Sequence, residues 1–262
     1  SLMTGEHIRH QRAEGEVVLA MGAGGLTRLR EAQAAKVRLP ARSHEAILIN
    51  TGGGLAGGDR FSFDITAEEG ARLTVTSQAA ERVYRSLGAD AEVAVKLSAW
   101  RGAQLMWLPQ ETILFNGARL RRRIEADLAP EARLLAVEPV ILGREAMGET
   151  VEQVQLHDRW RIRQGGRLVF ADDLAIDGAP PVSAATLGED RAFATVLAVM
   201  PDAEDRLDRV RTAIGGQGSA SAWSGKIVAR MTGRDGFDLR KALIPALTVL
   251  AEPGGLPKTW SL

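Results

Sequence analysis

Apolar and polar residues alternate with a period of two through most of the stretch from residue 45 to 170. That is the pattern of strands with one face buried. Phe61, Phe63 and Ile65 alternate with Ser62, Asp64 and Thr66, and Leu73 and Val75 with Arg72, Thr74 and Thr76. Ala91, Val93, Val95 and Leu97 do the same against Glu92, Lys96 and Ser98, and Leu105 and Trp107 follow. Leu120, Arg122 and Ile124 share one strand face and Arg119, Arg121 and Arg123 the other, which predicts an exposed arginine stripe with Arg122 turned toward the core. Arg133 to Leu142 is apolar on both faces and predicts a strand covered on both sides.

The strands are spaced by a weak repeat. Gly-Ala recurs at Gly70-Ala71, Gly88-Ala89, Gly102-Ala103 and Gly117-Ala118, with Glu131-Ala132 in the equivalent place, at steps of 18, 14, 15 and 14 residues. Such spacing suggests stacked strands wound as a solenoid or laid in two packed sheets. Helical signals are few: a short helix over 78–84; a helix over 202–214 capped by Asp202 and closed by Gly215-Gly216; and a helix over 239–250 capped by Asp238 and kinked at Pro245. Ile227 to Met231 reads as a strand between the last two. The expectation is therefore a mainly β fold, a β-solenoid-like or two-sheet core with two or three short helices, mostly toward the C-terminus. One domain would span 1–262. Ser1-Leu2 ahead of Met3 reads as a cloning remnant, and 1–11 as a disordered arm.

Five glycines crowd between 52 and 58, and Gly52, Gly54 and Gly57 spell G-x-G-x-x-G. A dinucleotide site needs a helix opening on the last glycine. Here the alternating run 61–66 follows, so the loop reads as strand–glycines–strand. Gly58-Asp59 also stands where a phosphate-binding loop would have Lys-Ser/Thr. A nucleotide-binding enzyme built on the Gly52–Gly57 loop remains one alternative reading, and a purely structural solenoid adaptor another.

Composition narrows the chemistry. Basic and acidic residues balance at 33 each, so there is no general electrostatic footprint for nucleic acid or an anionic membrane. The absence of cysteine removes disulfides, thiolate catalysis and cysteine-type metal sites. No apolar run is long enough to cross a membrane as a helix, and no leader pattern opens the chain, which points to the cytoplasm. His7 and His10 lie in the polar arm, and His44 and His157 stand alone, so no histidine-rich catalytic metal motif is present.

Several ionisable groups occupy awkward places. Glu138 is the only charge after Arg133 in its apolar strand, and a carboxylate there must be paired, protonated or metal-bound. A buried pair of Arg122 with a carboxylate accounts for both residues more simply than a relay does. Asp59 closes the glycine loop and can hold the turn through its own backbone. Gly143 to Glu149 packs two carboxylates and an arginine into one turn.

Taken together, these segments carry a resemblance. In order come Lys36-Val37-Arg38-Leu39-Pro40, Asn50 to Asp59, Ser77 to Ser86, Leu108 to Phe115, Gly117-Ala118-Arg119, Gly143 to Glu149 and Leu256 to Trp260. The series resembles the urease accessory protein UreD (UreH) family from about Arg12 to the C-terminus. Ala56 and Glu81-Arg82 depart locally from that family's pattern. The resemblance implies a cytoplasmic, non-enzymatic scaffold that binds UreF, through it the GTPase UreG, and apo-urease, with further oligomerisation inside that complex. It implies no tightly bound cofactor, only transient Ni2+ moving along an internal passage toward urease. Asp59, Glu111, Glu138 and Glu149 are the candidate metal-path residues, with Ser77 and Arg144 beside them. Arg119, Arg121 and Arg123 are the candidate partner-binding residues. Oxygen-rich stations without thiolates suit a metal that must be handed on.

Overall fold

The protein is described by a computed structural model covering residues 12–143, 151, 153–178 and 189–261. The first strands are β1 (Glu14–Gly22), β2 (Gly25–Gln33), β3 (Ala35–Arg38), β4 (Glu45–Asn50), β5 (Arg60–Ala67) and β6 (Arg72–Ser77). The middle of the chain gives β7 (Glu81–Val83), β8 (Ala91–Ala99), β9 (Gln104–Leu108), β10 (Thr112–Leu114), β11 (Arg119–Leu128) and β12 (Arg133–Leu142). There follow β13 (Val154–Gln164), β14 (Arg167–Gly178), β15 (Ala192–Val199), α1 (Leu207–Ile214), β16 (Gly218–Trp223), β17 (Lys226–Gly233) and α2 (Gly236–Ala251).

Two sheets face each other. One runs β14-β13-β11-β8-β5-β1-β2, and the other β16-β17-β15-β12-β9-β6-β4-β3 with β10 and β7 attached beside β12. The chain alternates between them, β5 to β6, β8 to β9 and β11 to β12, and successive turns stack in parallel register. The central fold is thus a β-solenoid of about 4 turns. Antiparallel hairpins, β1–β2 and β13–β14, edge the seven-stranded sheet.

The Gly-Ala repeat is half of a longer one. Three corners between the sheets are four-residue turns, closed by Ala71 N to Glu68 O (2.9 Å), Ala103 N to Trp100 O (3.0 Å) and Ala132 N to Ala129 O (3.1 Å). Their third residues, Gly70, Gly102 and Glu131, have φ of +70°, +71° and +66°. Each following alanine is buried where the chain bends into the core. Gly117-Ala118 makes the same turn at the opposite end of a rung, with φ +80° and Ala118 N to Phe115 O at 2.9 Å. Gly88-Ala89 is not such a corner, since Ala89 is exposed and Gly88 has no positive φ. The real rung is therefore about two of the sequence steps.

Two apolar layers hold the assembly. One fills the space between the sheets, with Leu19, Ile65, Leu97, Leu105, Ile124 and Trp160 among its members. The second lies between the ten-stranded sheet and the two helices, joining Leu135, Val137 and Ile141 to Leu239, Leu243 and Leu247. β12 sends Leu134, Ala136 and Val140 to the first layer and Leu135, Val137 and Ile141 to the second. This is why its sequence is apolar on both faces.

The helical expectations need correction in detail. Residues 81–83 form strand β7 rather than part of a helix, because Glu81 to Val83 pair with β10. Asp202 does not cap a helix: α1 begins at Leu207, and Asp202 instead binds Arg133 and Arg206. The cap of α2 is Asp235, whose side chain accepts the Asp238 N–H, so the helix starts three residues before the expected position. Pro245 lies inside it. Among the described residues no helix is long and apolar enough to cross a membrane.

Candidate functional site

The strands of the ten-stranded sheet break at one level. β6 stops at Ser77 and resumes after three residues as β7, and β9 stops at Leu108 and resumes after Pro109-Gln110-Glu111 as β10. The two interruptions lie side by side: Gln110 N donates to Ser77 Oγ at 2.8 Å, and Glu81 N to Glu111 O at 2.8 Å. β12 runs past this gap, paired with β9 over Arg133–Ala136 and with β10 over Val140–Leu142. Pro139 falls between those pairings, where its missing N–H costs no ladder bond on that side.

At that level a cavity of about 260 Å³ opens between the sheets. Phe61, Phe63, Val95 and Trp107 give it an apolar wall, and Ser77, Glu81, Gln110, Thr112, Arg122 and Glu138 supply polar groups. The glycine loop covers its mouth. Asn50 organises that loop, accepting from Gly52 N (2.9 Å) and donating to Gly54 O (3.1 Å) and Glu81 Oε1 (2.8 Å).

The glycines serve close packing. A Cβ on Gly54 would stand 2.5 Å from the Tyr84 ring and 2.8 Å from Arg82 O, and one on Gly57 would stand 2.1 Å from Ser86 Oγ. Leu55 N to Arg82 O and Tyr84 N to Leu55 O tie the loop to β7 as a short parallel bridge. The chain then enters β5, so the helix that a dinucleotide site requires is replaced by a strand. Asp59 is buried with both carboxylate oxygens engaged, Oδ1 by Ala13 N and Oδ2 by Ala56 N, each at 2.8 Å.

Two of the cavity's lining groups, Arg122 and Glu138, belong to a buried ion cluster. Arg122 projects inward from β11 and holds Asp158 of β13 through Nε (3.1 Å) and Nη2 (2.7 Å). Its Nη1 reaches Glu138 Oε2 (2.8 Å) and Thr112 Oγ1 (3.2 Å). Trp107 Nε1–H donates to the other oxygen of Glu138 at 2.8 Å. Arg122, Glu138 and Asp158 are 4%, 4% and 6% exposed, so the cluster carries one uncompensated negative charge away from water. Burial pushes the Glu138 carboxyl up to about 7, opposed by Arg122 and reinforced by Asp158. Asp158 already neutralises the guanidinium, which leaves the second carboxylate poorly compensated. Glu81, at the mouth, is likewise pushed up to about 7, chiefly by burial against the hydrogen bond from Asn50.

The residues expected from sequence thus divide. Ser77 and Glu138 line the cavity. Asp59 sits under the glycine loop, and Glu111 faces the helix layer, where Arg240 Nε binds it at 2.7 Å and stacks its guanidinium over Trp260 at 4.9 Å. Gln110 Nε2 and Leu108 O also hold the C-terminal Thr259-Trp260, so that distant motif closes over the same break. Arg144 and Glu149 lie outside the described residues. Arg119, Arg121 and Arg123 do face outward on β11, the first two against Asp90 at 3.0 and 3.6 Å. Arg121 and Arg123 border a groove of about 710 Å³ on the outer sheet face with His157 and Arg159. Sequence reasoning missed Asp158, Glu81 and Gln110 as wall and cluster residues. Asp158 was discoverable, because it interrupts the apolar series Leu156, Trp160, Ile162 just as Arg122 interrupts its own. Among the described residues no three His, Asp or Glu side chains gather as a metal-holding group.

Comparison with known proteins matches residues 11–261 to the family model described as UreD urease accessory protein. A protein of Rhizobium etli named urease accessory protein UreD is 49% identical, the alignment covering 97% of each chain. One of Agrobacterium fabrum with the same name is 45% identical over 97% of this chain and 93% of its own. A Brucella melitensis protein named urease accessory protein UreD 1 is 40% identical over 99% and 97%.

Proposed function

The chain belongs to the UreD family of urease accessory proteins, and on that premise we propose that it is the scaffold through which nickel reaches apo-urease. Members of this family take part in urease maturation and are not enzymes. In our reading the chain works in the cytoplasm in a complex with UreF and the GTPase UreG. Nucleotide hydrolysis is left to the GTPase, and Ni2+ is carried only in transit. The observation that carries this reading is the level break in the ten-stranded sheet. It puts Ser77, Gln110, Glu81 and Glu138 around one cavity and Glu111 on its helix side. Oxygen donors spaced singly along a wall bind a borderline cation weakly and release it, as a relay requires. The Arg119, Arg121 and Arg123 face is the partner surface in the same reading.

Glu138→Gln keeps the shape and removes the charge, and it gives up one accepted hydrogen bond, because an amide nitrogen cannot accept from Trp107 Nε1 or Arg122 Nη1. The experiment expresses this variant with the accessory proteins and urease, verifies that the complex with UreF assembles, and measures nickel per urease active site. We expect nickel content to fall at least fivefold with the complex intact. Full loading would reject the passage and leave a scaffold alone. Charge reversal at Arg119, Arg121 and Arg123 together should abolish assembly, and an intact complex would remove that surface from the reading.

A further inference from the structure

At the end of the sandwich opposite β14, both sheets finish in consecutive strands. β2 is the terminal strand of one sheet and pairs with β1; β3 is the terminal strand of the other and pairs with β4. Only Ala34 separates them, after Gln33 at φ +57°. From that corner the two terminal strands border the open end of the sandwich, a notch between the sheets. Register fixes which side chains face into it. Leu29 lies opposite Leu19 and Leu26 opposite Met21, and both of those partners belong to the inter-sheet core. Leu26 and Leu29 therefore stand on the inner face, yet they are 46% and 38% exposed. Val37 and Leu39, at the edge of the other sheet, are half-buried against the same core. The core surfaces here along a strand whose outer edge has no partner among the described residues.

The lips of the notch are basic. Arg28 and Arg30 pair in register with Ala20 and Val18, which puts them on the outer face of β2; Lys36 and Arg38 alternate with Val37 on β3. Arg30 and Lys36 have only distant acidic neighbours, exposed Glu16 at 3.8 Å and half-buried Glu31 at 4.0 Å, the latter on the inner face of β2 opposite Val17. Arg28 and Arg38 have no ion pair among the described residues. Natural edges are commonly guarded by charge, but a guard does not need two exposed leucines on its inner face.

We propose that this notch receives an extended segment of a partner protein, a strand alternating apolar and acidic residues that adds to the free edge of β2. Main-chain hydrogen bonds extend the seven-stranded sheet by one strand. The apolar side chains of the guest complete the core beside Leu26, Leu29, Val37 and Leu39, and its carboxylates lie across from Arg28 and Arg30. The Lys36-Val37-Arg38-Leu39-Pro40 motif, to which the nickel reading gives no task, forms the second lip.

The probe is a blocked heptapeptide alternating valine and glutamate, with a valine–lysine peptide as control. Amide hydrogen exchange is followed in the full chain. The acidic peptide should slow exchange across 25–33 and bind at least tenfold more tightly than the basic one. R28E/R30E should reverse that preference, and L26S/L29S should weaken both peptides while leaving thermal stability nearly unchanged. Absent protection of β2, or equal affinity for the two peptides, overturns the proposal. Protection of β2 that grows with protein concentration in the absence of peptide assigns the notch to a second copy instead. Capture by phosphatidylserine vesicles, lost in the same variants, assigns it to a lipid surface. Neither outcome depends on the nickel reading, which the urease-loading experiment tests separately.

Discussion

The two ends of the solenoid rungs differ. At one end the chain turns three times in four residues, at 68–71, 100–103 and 129–132, and the turns stack with bonds such as Gly70 N to Arg101 O at 3.0 Å. At the other end the connections are long, the ten-stranded sheet breaks, and the glycine loop, the cavity and the Arg122 cluster are assembled. A tight corner leaves no room for polar side chains to converge. A loose one must be pinned by hydrogen bonds from side chains such as Asp59, Asn50 and Ser77, and these are the residues that give it chemistry.

If that contrast is sound, substitutions at the loose end cost more than those at the corners. The largest effect is expected for Arg122→Met, which strands two buried carboxylates and should cost about 3–5 kcal/mol in urea unfolding. A loss under about 1 kcal/mol would mean that water reaches the cluster. Next comes pH. The folded-state pKa of Glu138 lies above its ordinary 4.5, near 7, so its contribution to stability is complete below about 4.5 and fades as pH rises through 7. Glu138→Gln should reduce the slope in that part of the stability profile, leaving the share that Glu81 supplies, which thermal melts at several pH values will reveal.

Asp59→Ala leaves two amides without acceptors and should cost about 1.5–3 kcal/mol, with faster hydrogen exchange confined to 52–59 and the start of β1. Gly57→Ala forces a methyl against Ser86 and Ala89 and should cost about 1–3 kcal/mol. At the tight end the numbers shrink. Around Gly102 a Cβ meets nothing closer than 3.8 Å, so Gly102→Ala suffers only its positive φ, about 1 kcal/mol. Glu131→Gly should stabilise by about 0.5 kcal/mol, since relief of the left-handed backbone outweighs the added freedom of the unfolded chain. Equal losses at Gly57 and Gly102 would break the comparison.

The same contrast decides what could be read from sequence. Strands were legible because period-two burial is a local property; β11, with its strict alternation of buried and exposed residues, is the clearest case. The corner turns were legible through Gly-Ala, although Glu131 shows that the backbone keeps its shape without the glycine, and Gly88 that the dipeptide alone is not enough. The loose end was not legible in detail. Residues 81–83 look helical by spacing and become a strand because β10 offers a ladder. The Arg122–carboxylate pairing followed from two charges on apolar faces, but its bidentate partner, Asp158, comes from the adjacent strand of the same sheet through a register no local pattern encodes. Glu111 was assigned to the metal path by type alone, while its carboxylate is held by an arginine 129 residues away.

The Arg122 cluster also has a consequence in time. Its members come from β11, β12 and β13, three strands consecutive along the chain. Until β13 docks, Arg122 and Glu138 can remain hydrated, and dehydration of all three charges falls on that single step. A nascent chain that ends before Gln164 therefore holds an open, wet seam where the finished protein has a sealed one. Docking of β13 on β11 closes that seam.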